Sequence, residues 1–424
     1  MIVLSGATDA ADARQWPSGR VSVLFDYLPE RDHTAELRSR LYAEKQFELP
    51  PHLRIMLSGF AEGLFARREA PPPAGTSGRR AADAILELDD AYVVFTTRRL
   101  DILVGHATTV WGRLDELQPT DVVNPLDASR FFFEGRGEAR LPVGMLRARV
   151  FLSEHATLEG VFVPVFRRGR FDRLEESTSP FNLAATASRD SVGCQAVGCP
   201  APPRLERERP AVALRNGQGG ARIAATTGRV DWSVSAYRGL EPVGILTLDP
   251  AREAITETYP RFTMLGADFE TVSGPWGIRG EAAVFPEDTF QSPEGQRVPG
   301  RSFDAGFGFD RRAGAYTVSG TVLVHSESYD PRLTAPAPPG DGRFDVSLIA
   351  SADRTFARER YRLRAFGVYN ASQSSGFIRA IGRMNLQDNV TLEGSVGWFA
   401  GQGEDLIGRF SRNDFAYLRW GYHF

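Results

Sequence analysis

The chain has 424 residues with 50 basic and 53 acidic side chains, and this balance excludes a strongly basic nucleic-acid-binding protein. It contains no run of 18 or more apolar residues, so we expect no membrane-spanning helix. The length allows one large all-β domain or two to three ordinary domains.

The N-terminal residues MIVLSGATDAADA contain a short apolar run. They lack the basic segment and the full apolar core of a signal peptide. We interpret residues 1–18 as an N-terminal periplasmic segment or the remnant of a signal peptide. Residues 19–424 show no internal domain boundary, because the proline-rich stretches are too short to be linkers.

From residue 19 onward, segments of about ten residues alternate apolar and polar side chains, which is the length and pattern of a tilted strand that crosses a bilayer. Two examples are WGIRGEAAVF at 276–285 and NVTLEGSVGWF at 389–399. We count about eighteen strands, with sixteen as the fallback. They lie near residues 19–28, 36–49, 53–67, 83–97, 100–112, 143–153, 157–167, 219–227, 229–238, 261–272, 276–285, 302–311, 315–326, 344–355, 360–370, 376–386, 389–400 and 413–424.

The connections between these strands alternate between short turns and long polar loops. Arg98-Arg99 and Ser273-Gly274 are short turns, whereas 172–215 and 286–300 are long loops. Short periplasmic turns and long extracellular loops are typical of outer-membrane barrels, and a soluble sandwich has no reason to sort its loops in this way. The sequence therefore predicts a single transmembrane antiparallel β-barrel, residues 19–424, in a bacterial outer membrane.

One connection, residues 110–142, does not fit this pattern. It combines turn formers at Pro119 and Asn124-Pro125 with the apolar cluster Phe131-Phe132-Phe133. A wide barrel has a lumen that its own side chains do not fill, so we predict that this loop folds inward as a constriction or plug. Its candidate site residues are Trp111, Asp115, Asp121, Asn124 and Asp127. The alternative is that the aspartates only cap turns beside the prolines.

The same region carries a resemblance to a known family. The residues that carry it are Trp111-Gly112, Asp115, Asp121-Val122-Val123-Asn124-Pro125, Leu141-Pro142-Val143, Met145-Leu146 and LEGVFVPVF at 158–166. In these motifs the sequence resembles the domain of unknown function 1302 family of Gram-negative outer-membrane proteins, which is similar in kind to alginate-export and porin-type barrels. The resemblance implies a barrel and a transport-like role, and it supplies neither a substrate nor catalytic residues.

The only two cysteines, Cys194 and Cys199, lie in VGCQAVGCP within the long loop 172–215, which we place outside the cell. Two cysteines are too few for a structural zinc site. We expect a local disulfide that ties this loop, which requires an oxidising compartment, with two free thiols as the alternative. The sequence predicts no metal and no cofactor.

Arginine collects at the inward positions of the last strands, and barrel closure places the first strands beside them. The predicted basic wall consists of Arg362, Arg364, Arg379, Arg383, Arg38 and Arg40. The predicted acidic wall, on the middle strands, consists of Asp268, Glu270, Glu281 and Asp304, with Arg147, Arg149 and Arg279 as exceptions. Opposed charges across a polar lumen sort solutes by charge, and arginine suits carboxylates and phosphates. The alternative is that cross-strand Arg–Asp pairs only hold neighbouring strands together.

The chain ends in FAYLRWGYHF, residues 415–424, whose outward face carries Trp420, Tyr422 and Phe424. Aromatic side chains at one end of an outward face suit the headgroup layer of a bilayer. We predict that this segment is the last barrel strand and that the barrel-assembly machinery recognises it.

These features predict a porin-like channel that passes small polar or anionic solutes through an arginine-lined lumen. Export of a lipid or polysaccharide is the alternative. A barrel hydrolase is a second, less favoured alternative, because no two of the six histidines converge with a serine or carboxylate. The expected partners are outer-membrane lipid and lipopolysaccharide, the barrel-assembly machinery, the solute itself, and periplasmic or inner-membrane transport components. We expect no nucleic acid.

Overall fold

The computed structural model describes residues 17–29, 34–49, 51–67, 80–127, 133, 135–170, 204–249, 254–291, 297–329, 342–401 and 405–424. Its strands are β1 Ser18–Leu28, β2 Thr34–Leu49, β3 Leu53–Arg67, β4 Arg80–Thr96, β5 Leu100–Ala107, β6 Val143–Ser153, β7 Ala156–Val163, β8 Arg204–Glu208, β9 Gln218–Thr227, β10 Val230–Leu240, β11 Ile245–Asp249, β12 Ala254–Thr258, β13 Arg261–Ser273, β14 Trp276–Gln291, β15 Arg297–Ala313, β16 Tyr316–Tyr329, β17 Gly342–Phe356, β18 Tyr361–Asn370, β19 Ser375–Gln387, β20 Val390–Ala400 and β21 Phe415–His423. Single helical turns lie at Arg136–Ala139, Leu214–Asn216 and Leu406–Arg409.

Eighteen of these strands form one closed antiparallel sheet in which each strand pairs with its neighbours in chain order. The last strand closes the ring on the first, from the pair Arg20 and His423 to the pair Tyr27 and Ala416. The predicted count of eighteen is confirmed. Strand β5 ends at Ala107 rather than at 112, because the Asn124 side chain accepts a hydrogen bond from the Thr109 amide and turns the chain out of the sheet.

Alternation along each strand sends apolar side chains outward and polar ones into the lumen. On β13, Leu265 and Phe269 are exposed on the outer surface, whereas Asp268 between them is buried inside. The outer surface carries a belt of such side chains on most strands. An exposed apolar belt of this extent matches a lipid environment and would be costly in water.

The remaining strands form a small separate sheet in the long connections. Strand β12 pairs antiparallel with β11 and parallel with β8. The predicted disulfide residues Cys194 and Cys199 lie outside the described residues, as do residues 1–16 of the N-terminal segment. Where the chain is described, none of its helices is long and apolar enough to span a membrane.

Two apolar clusters lie inside the barrel, where the connection between β5 and β6 packs against the wall. The first contains Trp111, Val123, Tyr237 and Met264. The second contains Phe133 with aromatic residues of the last strands. The barrel therefore has an internal core that fills part of its lumen.

Candidate functional site

The connection between β5 and β6 folds into the lumen as two lobes. The first lobe is residues 108–124, and the described part of the second lobe is residues 133 and 135–142. Asn124 holds the base of the first lobe, because its amide group accepts from Thr109 N and donates to the carbonyls of Ala107 and Leu141. The inward-folded loop predicted from the sequence is present, and Asn124 acts as its anchor.

Trp111 is the first residue that fixes the lobe to the wall. Its side chain is fully buried, and its indole N–H donates to a Glu159 carboxylate oxygen at 2.8 Å. Its ring meets Tyr237 edge to face, with 6.0 Å between centroids. Trp111 is therefore a packing residue of the lobe and does not face the open lumen.

The carboxylate of Glu281 on β14 binds the tip of the first lobe. It accepts hydrogen bonds from the amides of Arg113, Leu114 and Thr120 at 2.9, 3.2 and 2.7 Å. The Thr120 hydroxyl adds a fourth at 2.8 Å. Gly112 has a φ of 93°, and a Cβ there would lie 2.5 Å from this carboxylate, so only glycine fits this approach.

The Arg113 side chain extends the same contact to β13. Its Nε donates to Asp268 at 2.6 Å and one terminal nitrogen donates to Glu270 at 3.1 Å. Asp268 also accepts from Arg222 of β9. Three of the four residues of the predicted acidic wall therefore hold the first lobe rather than facing an open passage.

Glycines at inward positions of the wall make room for the lobe, which the strand alternation alone does not reveal. A Cβ at Gly306 on β15 would lie 2.4 Å from Leu114, and one at Gly308 would lie 3.1 Å from it. A Cβ at Gly266 on β13 would lie 2.5 Å from Thr120. The wall is recessed where the lobe rests on it.

The tip of the first lobe continues across the lumen. Asp115 accepts from Arg279 of β14 at 2.6 Å, and Glu116 accepts from Arg364 of β18 at 2.6 Å. In the eighteen-strand ring, β18 lies ten positions from β5, where the lobe starts, so the lobe spans the barrel almost along a diameter. Glu116 is therefore a functional candidate, and no pattern in the sequence marks it.

The other predicted aspartates of the loop are buried in ion pairs at its base. Asp121 pairs with Arg140 at 2.7 Å and Asp127 pairs with Arg170 at 3.3 Å. Burial lowers the pKa of Arg170, but Asp127 and Glu87 outweigh burial and raise it above its ordinary value. These aspartates neither line the passage nor merely cap a turn.

The second lobe reaches the wall formed by the last and first strands. Arg379 of β19 donates to the Phe133 carbonyl at 2.7 Å, and the Phe133 ring packs on Phe415 with centroids 4.8 Å apart. Arg38 of β2 lies 5.3 Å from the centre of the same ring. Arg379 and Arg38 therefore position the second lobe as well as facing inward.

The other arginines of the predicted basic wall differ in how far they are paired. Arg362 makes a close ion pair with Asp353 at 2.6 Å, and Arg40 lies 3.6 Å from Glu62 and stacks over Phe60. Arg383 is exposed to the lumen and stands directly across from Arg362 in the strand register. On its other side Arg383 stands across from Glu393 of β20, so the two like charges are balanced in part.

Asp304, the fourth residue of the predicted acidic wall, belongs to a separate group on β15 and β16. His325 contacts the Asp304 carboxylate at 2.7 Å and the Glu327 carboxylate at 3.0 Å. In the described part of the chain, no cluster of three or more histidine, cysteine, aspartate or glutamate side chains is arranged to bind a metal ion.

Two cavities flank the second lobe. The arginine cavity, about 260 Å³, lies against the last strands and is lined by six arginines and three glutamates: Arg20, Arg362, Arg364, Arg379, Arg383 and Arg419 with Glu116, Glu138 and Glu393. The mixed cavity, about 500 Å³, lies against the first strands. Arg20 and Glu138 line both cavities, so the two are adjacent.

Comparison with known families gives one match. A family model described as protein of unknown function (DUF1302) matches residues 63–317, more than half of the chain. The region of the sequence resemblance lies inside this match.

Solved structures with a similar fold include OccK5 (OpdH) of Pseudomonas aeruginosa, at a TM-score of 0.53 and 9% identity, covering 96% of this chain and 97% of that one. OccAB3 of Acinetobacter baumannii has a TM-score of 0.53 and 11% identity over 96% of this chain and 99% of that one. OccK7 (OpdD) of P. aeruginosa has a TM-score of 0.51 and 12% identity over 96% and 98%. At such identities the likeness shows the fold alone, that of outer-membrane porins. A search of curated proteins gives no match.

Proposed function

We propose that this chain, which belongs to the DUF1302 family, is a porin-like channel of a bacterial outer membrane that passes small anionic or polar solutes. The observation that carries the proposal is the arginine cavity. Six arginines surround a space of about 260 Å³ inside a closed barrel, with three glutamates to balance them.

The position of the first lobe explains why the remaining space is basic. The backbone amides and the Arg113 side chain of the lobe bind the carboxylates of Asp268, Glu270 and Glu281. The negative charge of these carboxylates is therefore neutralised by the lobe and does not face a solute. The arginines of β18 and β19 lie beyond the tip of the lobe. A solute that passes the lobe therefore meets mostly cationic side chains.

The degree of pairing suits transport rather than tight binding. A channel site must attract its solute and release it again. Glu116 and Asp353 form close ion pairs with Arg364 and Arg362, whereas Arg383, which stands across from Glu393 in the strand register, makes no such close pair among the described residues. Planar guanidinium groups bind carboxylates and phosphates in a bidentate manner, so small carboxylates are the class we favour.

Placement in the outer membrane is part of the proposal, and the apolar belt on the outer surface supports it. An arginine that faced lipid at mid-depth would cost about 2–4 kcal/mol, which is why these residues point into the lumen. Lipopolysaccharide, the assembly machinery and envelope transport components are the proposed partners. Charged cavity linings favour a small solute over an exported lipid.

Charge reversal in the arginine cavity tests the proposal. The double variant Arg364→Glu, Arg383→Glu is expected to shift the reversal potential in a salt gradient toward cation selectivity, lowering the anion-to-cation permeability ratio by about threefold or more. The single variant Arg383→Glu should shift it in the same direction without disturbing Glu116. Planar-bilayer recordings on purified protein measure both.

The matched control is Arg358→Glu, Arg360→Glu, which changes the net charge equally in the exposed turn between β17 and β18. It should leave selectivity close to that of the wild type. If the cavity variants fold, as judged by heat-modifiable mobility, and keep wild-type selectivity, the arginine cavity is not the path of the solute.

A further inference from the structure

The mixed cavity carries both signs of charge, and nothing in the proposed anion path requires its carboxylates. We propose that it is a recognition subsite for small zwitterionic solutes, those with an ammonium group at one end and a carboxylate at the other. This inference rests on the proposed channel function and narrows its substrate class.

The cationic side of the mixed cavity comes from β1, β2 and the second lobe. Arg20, Arg40 and Arg140 line it. Arg20 is partly exposed, and its recorded ion pair, with Glu138, is long at 3.7 Å. A loosely held guanidinium of this kind is available to a carboxylate in the cavity.

The anionic side comes mainly from a β-bulge in β4. Consecutive residues of a regular strand point to opposite faces, so Asp89 and Asp90 could not both face the lumen. The register between β3 and β4 shifts here, so that two residues of β4 stand opposite Ser58. Ser58 fixes the bulge, because its hydroxyl donates to the Asp90 carbonyl at 3.2 Å and accepts from the Asp90 amide at 2.9 Å.

The bulge brings both carboxylates to the cavity, together with Glu44 of β2. Bulges commonly redirect side chains beside functional sites. Asp90 accepts from the Thr108 amide at 3.3 Å. Within the described residues the Asp89 carboxylate makes no hydrogen bond or close ion pair, although Arg40 attracts it electrostatically. Asp89 is therefore the group we assign to the ammonium.

Arg20 on β1 and Asp89 on β4 are separated by three strand spacings, or about 14 Å between backbones. The long side chain of Arg20 reaches across part of this distance. A simple anion in the cavity would add no counter-charge to Asp89 beyond that of Arg40, and a simple cation would add none to Arg20 beyond that of Glu138. A solute with both charges satisfies both groups at once, which favours it over either.

The test compares two solutes of matched chain length, γ-aminobutyrate and butyrate, in proteoliposome swelling. Asp89→Asn should lower the ratio of γ-aminobutyrate to butyrate permeation by about two- to fivefold, the range of one part-exposed charge pair. Arg20→Gln, which lines both cavities, should slow both solutes. The matched control Glu154→Gln removes a carboxylate from the exposed turn between β6 and β7 and should change neither.

A second measurement uses the wild-type protein alone, and does not depend on how a variant folds. Added γ-aminobutyrate should reduce the ion current in planar bilayers at lower concentration than butyrate does. Equal block by the two solutes, or a permeation ratio unchanged in folded Asp89→Asn protein that still conducts anions, overturns the subsite and leaves the channel function standing. A protein that conducts nothing and passes neither solute overturns both.

Discussion

Replacing Glu281 with alanine is expected to release the first lobe from the wall and to raise single-channel conductance by about twofold or more, because a barrel of eighteen strands has a lumen wide enough for an aqueous channel once the lobe moves. One carboxylate holds three amides and one hydroxyl of the lobe. Without it those amides have no acceptor where they now lie, at a cost of about 1–3 kcal/mol for each. The free energy of the lobe is then lower when its amides are hydrated, so the lobe moves away from the wall into the water of the lumen.

Glu281→Gln is expected to give a smaller increase, since one oxygen acceptor remains and the negative charge is lost. Asp304→Asn is the matched control, because Asp304 lies on the same side of the barrel but contacts His325 rather than the lobe. Conductance in planar bilayers and the rate of protease cleavage within residues 108–124 report the release. Wild-type conductance with unchanged protection of the lobe in folded Glu281→Ala protein would show that Glu281 is not its main anchor.

The largest effect on the amount of folded protein is expected from Tyr422→Ser combined with Phe424→Ser. These rings stack with centroids 6.4 Å apart on the outer surface, Tyr422 within β21 and Phe424 directly after it. Strand β21 closes the ring, and Phe424 exchanges backbone hydrogen bonds with Gly19 at 2.9 and 3.1 Å. Loss of both rings removes lipid-facing surface from the strand that must complete the barrel, so we expect little heat-modifiable protein in the outer membrane.

The control for this variant is Phe344→Ser with Leu348→Ser, which removes comparable outward apolar surface from β17, a strand within the sheet. If recognition of the last strand by the assembly machinery causes the defect, the control assembles better than the terminal variant. Equal amounts of folded protein in the two variants would show that only apolar area matters. Normal assembly of the terminal variant would contradict the role given to β21.

The barrel itself could be predicted because every strand repeats the same two-residue alternation, and lipid enforces it on each of them. The short turns could also be predicted, because backbone exposed to lipid must be hydrogen-bonded within strands and the chain can turn only outside the hydrocarbon layer. The small sheet of β8, β11 and β12 was not predicted, since strands of five residues within polar connections have no lipid-facing side to mark them.

The inward direction of Asp268, Glu270 and Glu281 could be read from the sequence, but their role could not. Alternation assigns a side chain to a face and says nothing about which distant segment will rest on it. The sequence does contain one indication of the contact, which is glycine at the inward positions 266, 306 and 308. At these positions the absence of a side chain leaves room for Thr120 or Leu114 of the lobe. Asp121 and Asp127 likewise needed partners from distant positions, Arg140 and Arg170.

The contact between Glu116 and Arg364 has a mechanical consequence. The barrel wall is a single closed β-sheet, and such a ring deforms toward an elliptical cross-section more easily than a structure with internal supports. The first lobe is fixed at β5, at β14 and at β18, and so forms a chord across this ring. Because the lobe is attached at both ends, it keeps β5 and β18, on opposite sides of the barrel, at a fixed separation. The shape of the opening is therefore governed by the length of the lobe as well as by the number of strands around it.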